Sequence, residues 1–225
     1  MRIKIKNGRL IDPAQKIDGD FDMYIAGGQI IGVGNAPDGF RAEKTINATG
    51  QIIIPGIVDC CARLREPGQE PKANIASETR AAAKAGITTL CVPPDTDPVI
   101  DNPAVAELIG QHAVRAGHAR VVTLGALTQG LQGEQLAEMA ALKSAGCVGV
   151  SNALRSISNT RILQRAYDYA ATHDLTVFIK PMDSFLAHGG CVHEGVVSAR
   201  LGLPGIPEAA ETIAVASHLI LIEQT

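Results

Sequence analysis

The stretch Pro55-Gly56-Ile57-Val58-Asp59-Cys60-Cys61-Ala62-Arg63-Leu64-Arg65-Glu66-Pro67-Gly68 decides the fold. Its apolar start is typical of a buried strand, and the closing Pro-Gly pair marks a turn. Side chains of a strand alternate between its two faces, so Cys61 and Arg63 lie on the same face. We therefore interpret this stretch as a strand end that presents two side chains to one site.

Short apolar segments alternate with alanine-rich segments of helical length from Gln51 onward, which is the βα pattern of a parallel sheet. Five such units are visible. The predicted strands are 52–59, 88–92, 120–125, 148–151 and 175–179, and the predicted helices are 73–85, 103–116, 133–144, 160–172 and 207–223.

A closed (β/α)8 barrel has eight units in about 250 residues, so this chain provides only about the first five. An unclosed barrel exposes strand edges and an apolar interior. We therefore expect the natural protein to continue beyond Thr225, or another element to cover the opening.

Residues 1–51 have a different pattern, with short alternating segments at 3–5, 21–25 and 30–33. Turns at Asn7-Gly8, Asp18-Gly19 and Gly27-Gly28 separate these segments and predict β-hairpins. The chain is therefore predicted to have two domains, a small β-domain over 1–51 and an α/β domain over 52–225.

Composition narrows the class of protein. The 225 residues are 46% hydrophobic and 3% aromatic, with a net charge of −3, so neither a basic stripe nor a stacking platform for nucleic acid is visible. No apolar run reaches about 18 residues, and the N-terminus lacks a signal-peptide pattern. We expect a cytoplasmic protein that binds neither nucleic acid nor membrane. Its five cysteines are predicted to be reduced and mostly buried.

The sequence resembles the dihydroorotase family of amidohydrolases over nearly its whole length. Besides the stretch at 55–68, Pro94-Asp95-Thr96-Asp97-Pro98-Val99-Ile100-Asp101-Asn102 resembles the loop that follows the second barrel strand of dihydroorotases. Residues 125–131 and 194–207 resemble two further segments of the family. The resemblance implies an α/β fold, with a partial amidohydrolase TIM-type barrel after a small N-terminal β-sandwich.

The resemblance also implies a zinc site, and all four ligand positions within the chain are substituted. Cys61 and Arg63 replace the two histidines of the family signature. Asn152 and Ala153 replace the acidic pair, or carbamylated lysine, after the fourth strand, and Lys180 replaces a histidine after the fifth. A thiolate can bind zinc, whereas a guanidinium has no lone pair to offer. We predict that no zinc binds and that no catalytic residue is intact.

Only part of the family's substrate-binding contacts is predicted to remain. Arg65 keeps the position from which the family holds the substrate carboxylate, but Asp95 replaces the asparagine beside it. We expect internal ion pairs to occupy the barrel mouth. The cations would be Arg63, Arg65 and Lys180, and the anions Asp95, Asp97 and Asp183.

The function implied by the resemblance is that of an inactive dihydroorotase homologue in pyrimidine synthesis. Such homologues associate with aspartate transcarbamoylase and support its assembly, so this enzyme is the predicted partner and an oligomer is expected. One alternative is an active, zinc-dependent dihydroorotase or related cyclic amidohydrolase with a remodelled site. Another is a sensor that uses Arg65 to hold an anionic pyrimidine precursor.

Overall fold

The computed structural model describes residues 1–225, which divide into two compact units, Met1–Gly56 and Ile57–Thr225. The predicted boundary lay after residue 51. Ile52 and Ile53 belong to the first unit because they pair in parallel with residues 9 and 10. Pro55 lacks the N–H that a continuing strand would need, so the predicted strand 52–59 is two separate strands.

The first unit contains two sheets. One is four-stranded, in the order β5-β4-β1-β6, and the other is three-stranded, in the order β3-β2-β7. The predicted segments at 3–5, 21–25 and 30–33 overlap β1, β4 and β5. The strands are β1 (Arg2–Lys6), β2 (Arg9–Asp12), β3 (Ile17–Asp20), β4 (Met23–Ala26), β5 (Gln29–Val33), β6 (Lys44–Asn47) and β7 (Ile52–Ile53).

The second unit is built on an open sheet of five parallel strands, in the order β12-β11-β10-β9-β8. This confirms the predicted α/β partial barrel. The strands are β8 (Ile57–Asp59), β9 (Ile87–Val92), β10 (Arg120–Ala126), β11 (Gly149–Ser151) and β12 (Thr176–Phe178). The helices between them are α1 (Ile75–Lys84), α2 (Pro103–Ala116), α3 (Met139–Ser144) and α4 (Thr160–Thr172).

Side-chain caps explain where the connecting helices begin. Asn102 accepts the N–H of Ala104 at 2.9 Å before α2, and Asn159 accepts the N–H of Arg161 at 3.1 Å before α4. Gly117 has a φ of 66°, a left-handed conformation that ends α2 at little cost. The structure confirms both of these helices with the predicted bounds.

The predicted helix 133–144 is wrong in its first half. Only Met139–Ser144 is helical, and a 3-10 turn occupies Gln129–Leu131. The Thr128 hydroxyl accepts the N–H of Gly133 at 2.9 Å, and Gly133 has a φ of 77°, so this segment is held as a loop. Side-chain bonds of this kind compete with helix formation.

The segment after β12 contains structure that the sequence did not predict. Strands β13 (Val192–His193) and β14 (Gly205–Ile206) pair in a two-stranded parallel sheet, and a short helix, α5 (Val196–Leu201), connects them. The last helix, α6 (Ala209–Ile222), was predicted over 207–223. None of the helices has both the length and the apolar character needed to cross a bilayer.

The core of the second unit lies between its sheet and helices α1 to α3. Ile75, Ile109 and Leu142 are at most 1% exposed and belong to one apolar cluster. A second cluster forms under α4, around Val150 and Ala166. Helices on one face of the sheet therefore supply most of the buried apolar contacts.

Helix α6 is linked to α4 by a hydrogen bond between Tyr167 and His218, whose Oη and Nδ1 lie 2.6 Å apart. Burial raises the pKa of Tyr167 to about 12, so the phenol keeps its proton at neutral pH. Burial also lowers the pKa of His218. Burial therefore favours the uncharged imidazole in the folded protein.

We expect Ile109→Ala to lower the free energy of unfolding by about 2–5 kcal/mol, because it leaves a cavity in the core. The matched control on α2 is Val114→Ala, at a side chain that is 82% exposed. This control should change stability by no more than about 0.5 kcal/mol. Urea denaturation measures both, and equal effects would contradict this description of the core.

The lowered pKa of His218 predicts a loss of stability in acid. Protonation places a positive charge on this half-buried imidazole, which burial disfavours. The stabilising contribution of the uncharged His218 is therefore present above the ordinary histidine pKa of about 6.5. It is lost as the pH falls through the lower pKa of the folded state.

Urea denaturation between about pH 7.5 and pH 5 measures this loss of stability. His218→Gln should reduce the difference, whereas His188→Gln, at an exposed histidine, should leave it unchanged. Identical profiles for the two variants would rule out this role.

Candidate functional site

The candidate site lies along the edge of the sheet where the five parallel strands end. In a parallel sheet all carboxyl ends meet at one edge, and ligand sites usually form there. The loop after β8 carries Cys61, Arg63 and Arg65, and the loop after β9 carries Asp95. These two strands are neighbours, so the predicted residues on them lie close together.

Arg63 forms the central ion pair of this edge. Its Nε donates to Asp95 Oδ2 at 2.9 Å, and its Nη2 lies 2.9 Å from the same oxygen. Nη2 is buried without a well-aligned hydrogen bond, so only Nε combines charge with hydrogen-bond geometry. Burial lowers the pKa of Arg63, but its hydrogen bond to Asp95 and the aspartate charge outweigh this effect and leave the pKa raised. The guanidinium therefore stays charged.

Cys61 lies beside this pair. Its Sγ is 3.8 Å from Arg63 Nη1, and its backbone N–H donates to Asp59 Oδ1 at 2.9 Å. The cysteine prediction holds only in part: Cys91 and Cys147 are buried, whereas Cys60, Cys61 and Cys191 are exposed. Cys60 and Cys61 follow β8, an edge strand whose own Ile57 and Val58 are also exposed.

Arg65 does not form the predicted ion pair. Its Nη1 donates to Gln69 Oε1 at 3.3 Å, and Gln69 returns its backbone N–H to the Arg65 carbonyl at 2.7 Å. Arg65 has a φ of 68°, a conformation that costs a non-glycine residue about 1–3 kcal/mol. A neutral amide therefore orients this cation, and its charge stays uncompensated.

Glu66 holds the loop in place, a role that the sequence analysis did not assign. One carboxylate oxygen accepts the N–H of Ile75 at 2.8 Å, at the start of α1. The other lies 2.6 Å from Nδ1 of His112 on α2. A carboxylate at a helix N-terminus is favourable for the helix dipole. The sequence did contain a signal for this role, because Glu66 belongs to the part of the family signature at 55–68 that this chain retains.

Gly68 allows the loops after β8 and β9 to touch. A Cβ at this position would lie 2.5 Å from Asp97 Cβ and 2.6 Å from its carbonyl oxygen. Its φ of 103° also disfavours any side chain. Asp97 is therefore in contact with this turn and forms no ion pair, contrary to the prediction.

Asn152, at a predicted ligand position, organises the loop after β11. Its Oδ1 accepts the Thr128 hydroxyl at 2.7 Å, and its Nδ2 donates to the Arg155 carbonyl at 3.0 Å. The side chain is buried and satisfied by protein groups. Ala153 follows with a φ of 52° and no ligating atom. Asn152 therefore binds protein groups of the neighbouring loops, and neither Asn152 nor Ala153 offers an anion that could bridge two metal ions.

Lys180 and Asp183 are the remaining predicted pair, and they do not meet. Asp183 Oδ1 accepts the N–H groups of Phe185 and Leu186, both at 2.9 Å. Lys180 is exposed and has no carboxylate within ion-pair distance. Of the predicted internal ion pairs, the structure forms only Arg63 with Asp95, because the other carboxylates are too far away or hold backbone groups.

The predicted site residues line three cavities, and Cys61, Arg63 and Arg65 line the one of about 490 Å³. Arg63, Arg65 and Asp95 line one of about 160 Å³. Asn152, Ala153 and Lys180 line another of about 170 Å³, which extends to α4 and α6. The residues that correspond to one metal centre in the resembled family are therefore divided.

The side chains present do not fit zinc. No group of three histidine, cysteine, aspartate or glutamate side chains is arranged to hold a metal ion anywhere in residues 1–225. Zinc sites use about three protein ligands, whereas among the residues at the family's ligand positions only Cys61 has a side chain able to bind zinc at the loop after β8. The guanidinium also holds the carboxylate of Asp95.

Comparison with known proteins places the chain in a family. Residues 50–225 match the family described as Dihydro-orotase-like. The whole chain is 52% identical to a dihydroorotase-like protein of Pseudomonas aeruginosa, of which it covers 53%, and 44% identical to a dihydroorotase of Syntrophotalea carbinolica, with the same coverage. The chain thus spans about half the length of these curated relatives.

Solved structures support the fold alone. The L-hydantoinase of Arthrobacter aurescens superposes with a TM-score of 0.74 at 18% identity, over 99% of this chain and 50% of the hydantoinase. A D-hydantoinase gives a TM-score of 0.69 at 19% identity, over 100% and 50%. These proteins share the amidohydrolase architecture of the second unit.

We expect Asp95→Asn to lower the free energy of unfolding by about 1–2 kcal/mol, because it leaves the partly buried Arg63 without its counter-charge. Asp97→Asn, one turn along the same loop and exposed, is the matched control and should have almost no effect. Adding Arg63→His to Asp95→Asn should recover most of the loss. Urea denaturation measures all three, and equal effects of the two aspartate variants would contradict the proposed pair.

Proposed function

The chain belongs to the dihydroorotase-like family, and from this premise we propose that it is a non-catalytic member of de novo pyrimidine biosynthesis. Its proposed role is structural support of aspartate transcarbamoylase. The observation that carries the proposal is the ion pair between Arg63 and Asp95. It puts a permanent cation where the resembled family has a zinc-binding histidine.

The charge of Arg63 argues directly against catalysis. Two unit charges of the same sign about 4 Å apart repel by about 4 kcal/mol near a protein surface, and a dication doubles this. Displacing the guanidinium would leave Asp95 and the buried Nη2 without their present contact. A zinc ion would therefore have to overcome repulsion and break an existing pair before binding Cys61.

The loop after β11 supports the same conclusion. A two-metal hydrolase needs an anionic group between its ions, and Asn152 is neutral with both polar atoms engaged by protein groups. Ala153 has no side-chain donor. Activity would require a replacement for this group as well as for Arg63.

The partner is proposed from the family and from the retained scaffold. Inactive dihydroorotase homologues associate with aspartate transcarbamoylase, and this chain keeps the loop contacts of Glu66 and Gly68 while its ligand positions have changed. A fold that is kept without its reactive groups is useful through its surface. An oligomer in the cytoplasm that binds no zinc is part of the same proposal.

A second candidate is an active cyclic amidohydrolase with a remodelled site. The uncompensated charge of Arg65 favours it, because a free guanidinium can still hold a substrate carboxylate. Binding through Arg65 without turnover would instead indicate a sensor. Calorimetry with dihydroorotate and carbamoyl-aspartate distinguishes a ligand-binding protein from a purely structural one.

We expect no turnover of dihydroorotate by this chain, even with excess zinc, under conditions in which an active dihydroorotase converts it. Arg63→Met removes the cation and should also stay inactive, because the bridging anion is still missing. The same preparation should co-elute with aspartate transcarbamoylase in size-exclusion chromatography with light scattering. Turnover that a chelator abolishes would overturn the proposal of a non-catalytic protein. If the two proteins elute separately, the proposed partnership with aspartate transcarbamoylase is wrong.

A further inference from the structure

Three of the five cysteines lie where the end of β8 meets β9. Cys60 and Cys61 directly follow β8 and are exposed, whereas Cys91, within β9, is only 5% exposed. Asp59 pairs with the residue that precedes Cys91, and the backbone N–H of Ala62 donates to the Cys91 carbonyl at 2.8 Å. Two residues, Cys60 and Cys61, therefore lie opposite the single residue Cys91, as in a β-bulge.

The packing of the neighbouring residues indicates that Cys61 and Cys91 share one face of the sheet. Leu90 and Val92, on either side of Cys91, belong to the apolar cluster between the sheet and the helices, and so does Ala62, which follows Cys61. Neither cysteine belongs to that cluster. Because side chains alternate along an extended chain, both thiols lie on the face turned away from the helices.

The spacing of the two backbones suits a disulfide. Neighbouring strands of a sheet lie about 4.8 Å apart, and disulfides join residues whose Cα atoms are about 4.4–6.8 Å apart. Cys61 and Cys91 face each other across such a strand pair. A covalent link between them therefore requires no movement of either strand.

The two thiols differ in access and in charge. Cys61 is exposed, and Nη1 of Arg63 lies 3.8 Å from its Sγ, where a cation stabilises the negative charge of a nucleophilic sulfur. Burial, together with negative charge on Cys60 and Cys61, raises the pKa of Cys91 to about 11, so this residue stays a protonated thiol at neutral pH. An oxidant in solution therefore reacts first with Cys61.

From this arrangement we propose that Cys61 and Cys91 form a disulfide on exposure to hydrogen peroxide. The Cys61 thiolate attacks one peroxide oxygen, the O–O bond breaks, and the products are a Cys61 sulfenic acid and hydroxide, which takes the proton that Cys61 has lost. The Cys91 sulfur then attacks the Cys61 sulfur, the S–O bond breaks, and the hydroxyl leaves as water with the Cys91 proton. Two thiols are oxidised by two electrons, and peroxide is reduced to two waters. This modification goes beyond the proposed function, because it needs neither a metal ion nor a substrate.

The test treats the folded 225-residue chain with hydrogen peroxide, alkylates the remaining thiols and maps the peptides by mass spectrometry without reduction. We expect a peptide linked through Cys61 and Cys91, which dithiothreitol separates again. Cys191 is exposed but lies far along the chain, beside the Pro204 carbonyl, and should remain available for alkylation. Circular dichroism before and after treatment shows that the fold is intact during the reaction.

Two serine variants make the test specific. Cys60→Ser, at an exposed position, should keep the link between Cys61 and Cys91. Cys91→Ser should abolish the link and leave Cys61 to oxidise further to the sulfinic acid. A link from Cys60 to either other cysteine, or a Cys61 sulfinic acid without any link in the unmodified chain, would overturn the proposal. Neither result bears on whether the protein turns over dihydroorotate or binds aspartate transcarbamoylase.

Discussion

Parallel pairing of β8 to β12 is the constraint on which the rest of the second unit depends, because it brings five strand ends to one edge. The loops after β8 and β9 begin side by side, and Gly68 lets them approach within contact distance of Asp97. Arg63 and Asp95, 32 positions apart, therefore meet at 2.9 Å. The pairing of β8 with β9 therefore brings the two members of the ion pair together.

The ion pair and the contacts of Glu66 and Asn152 hold the loops at the ends of the parallel strands. A partly buried guanidinium without a counter-charge would destabilise the edge, and Asp95 supplies that charge in the adjacent loop. Glu66 joins the same loop to α1 and α2, and Asn152 fixes the loop after β11. Protein groups thus join the loops at the strand ends to each other and to the helices.

Much of the fold could be predicted from the sequence, because βα periodicity and asparagine caps are local signals. Helices α2 and α4 have the predicted bounds for this reason. The loop at 129–138 was missed because the Thr128 hydroxyl competes with helix formation, a contact that periodicity does not show. In the site, the signs of the charged residues were enough to predict that Arg63 pairs with an aspartate. They did not show that Gln69 would bind Arg65 or that Lys180 would line another cavity.

The central claim is that an internal ion pair has taken the place of the metal centre, and zinc stoichiometry tests it most directly. Purified protein would be incubated with zinc, dialysed and analysed by mass spectrometry of the metal, beside a variant with Cys61→His and Arg63→His. The account predicts substoichiometric zinc in the unmodified chain and a higher content in the variant, where both cation and thiol have been replaced. One or more tightly bound zinc ions per unmodified chain would contradict it.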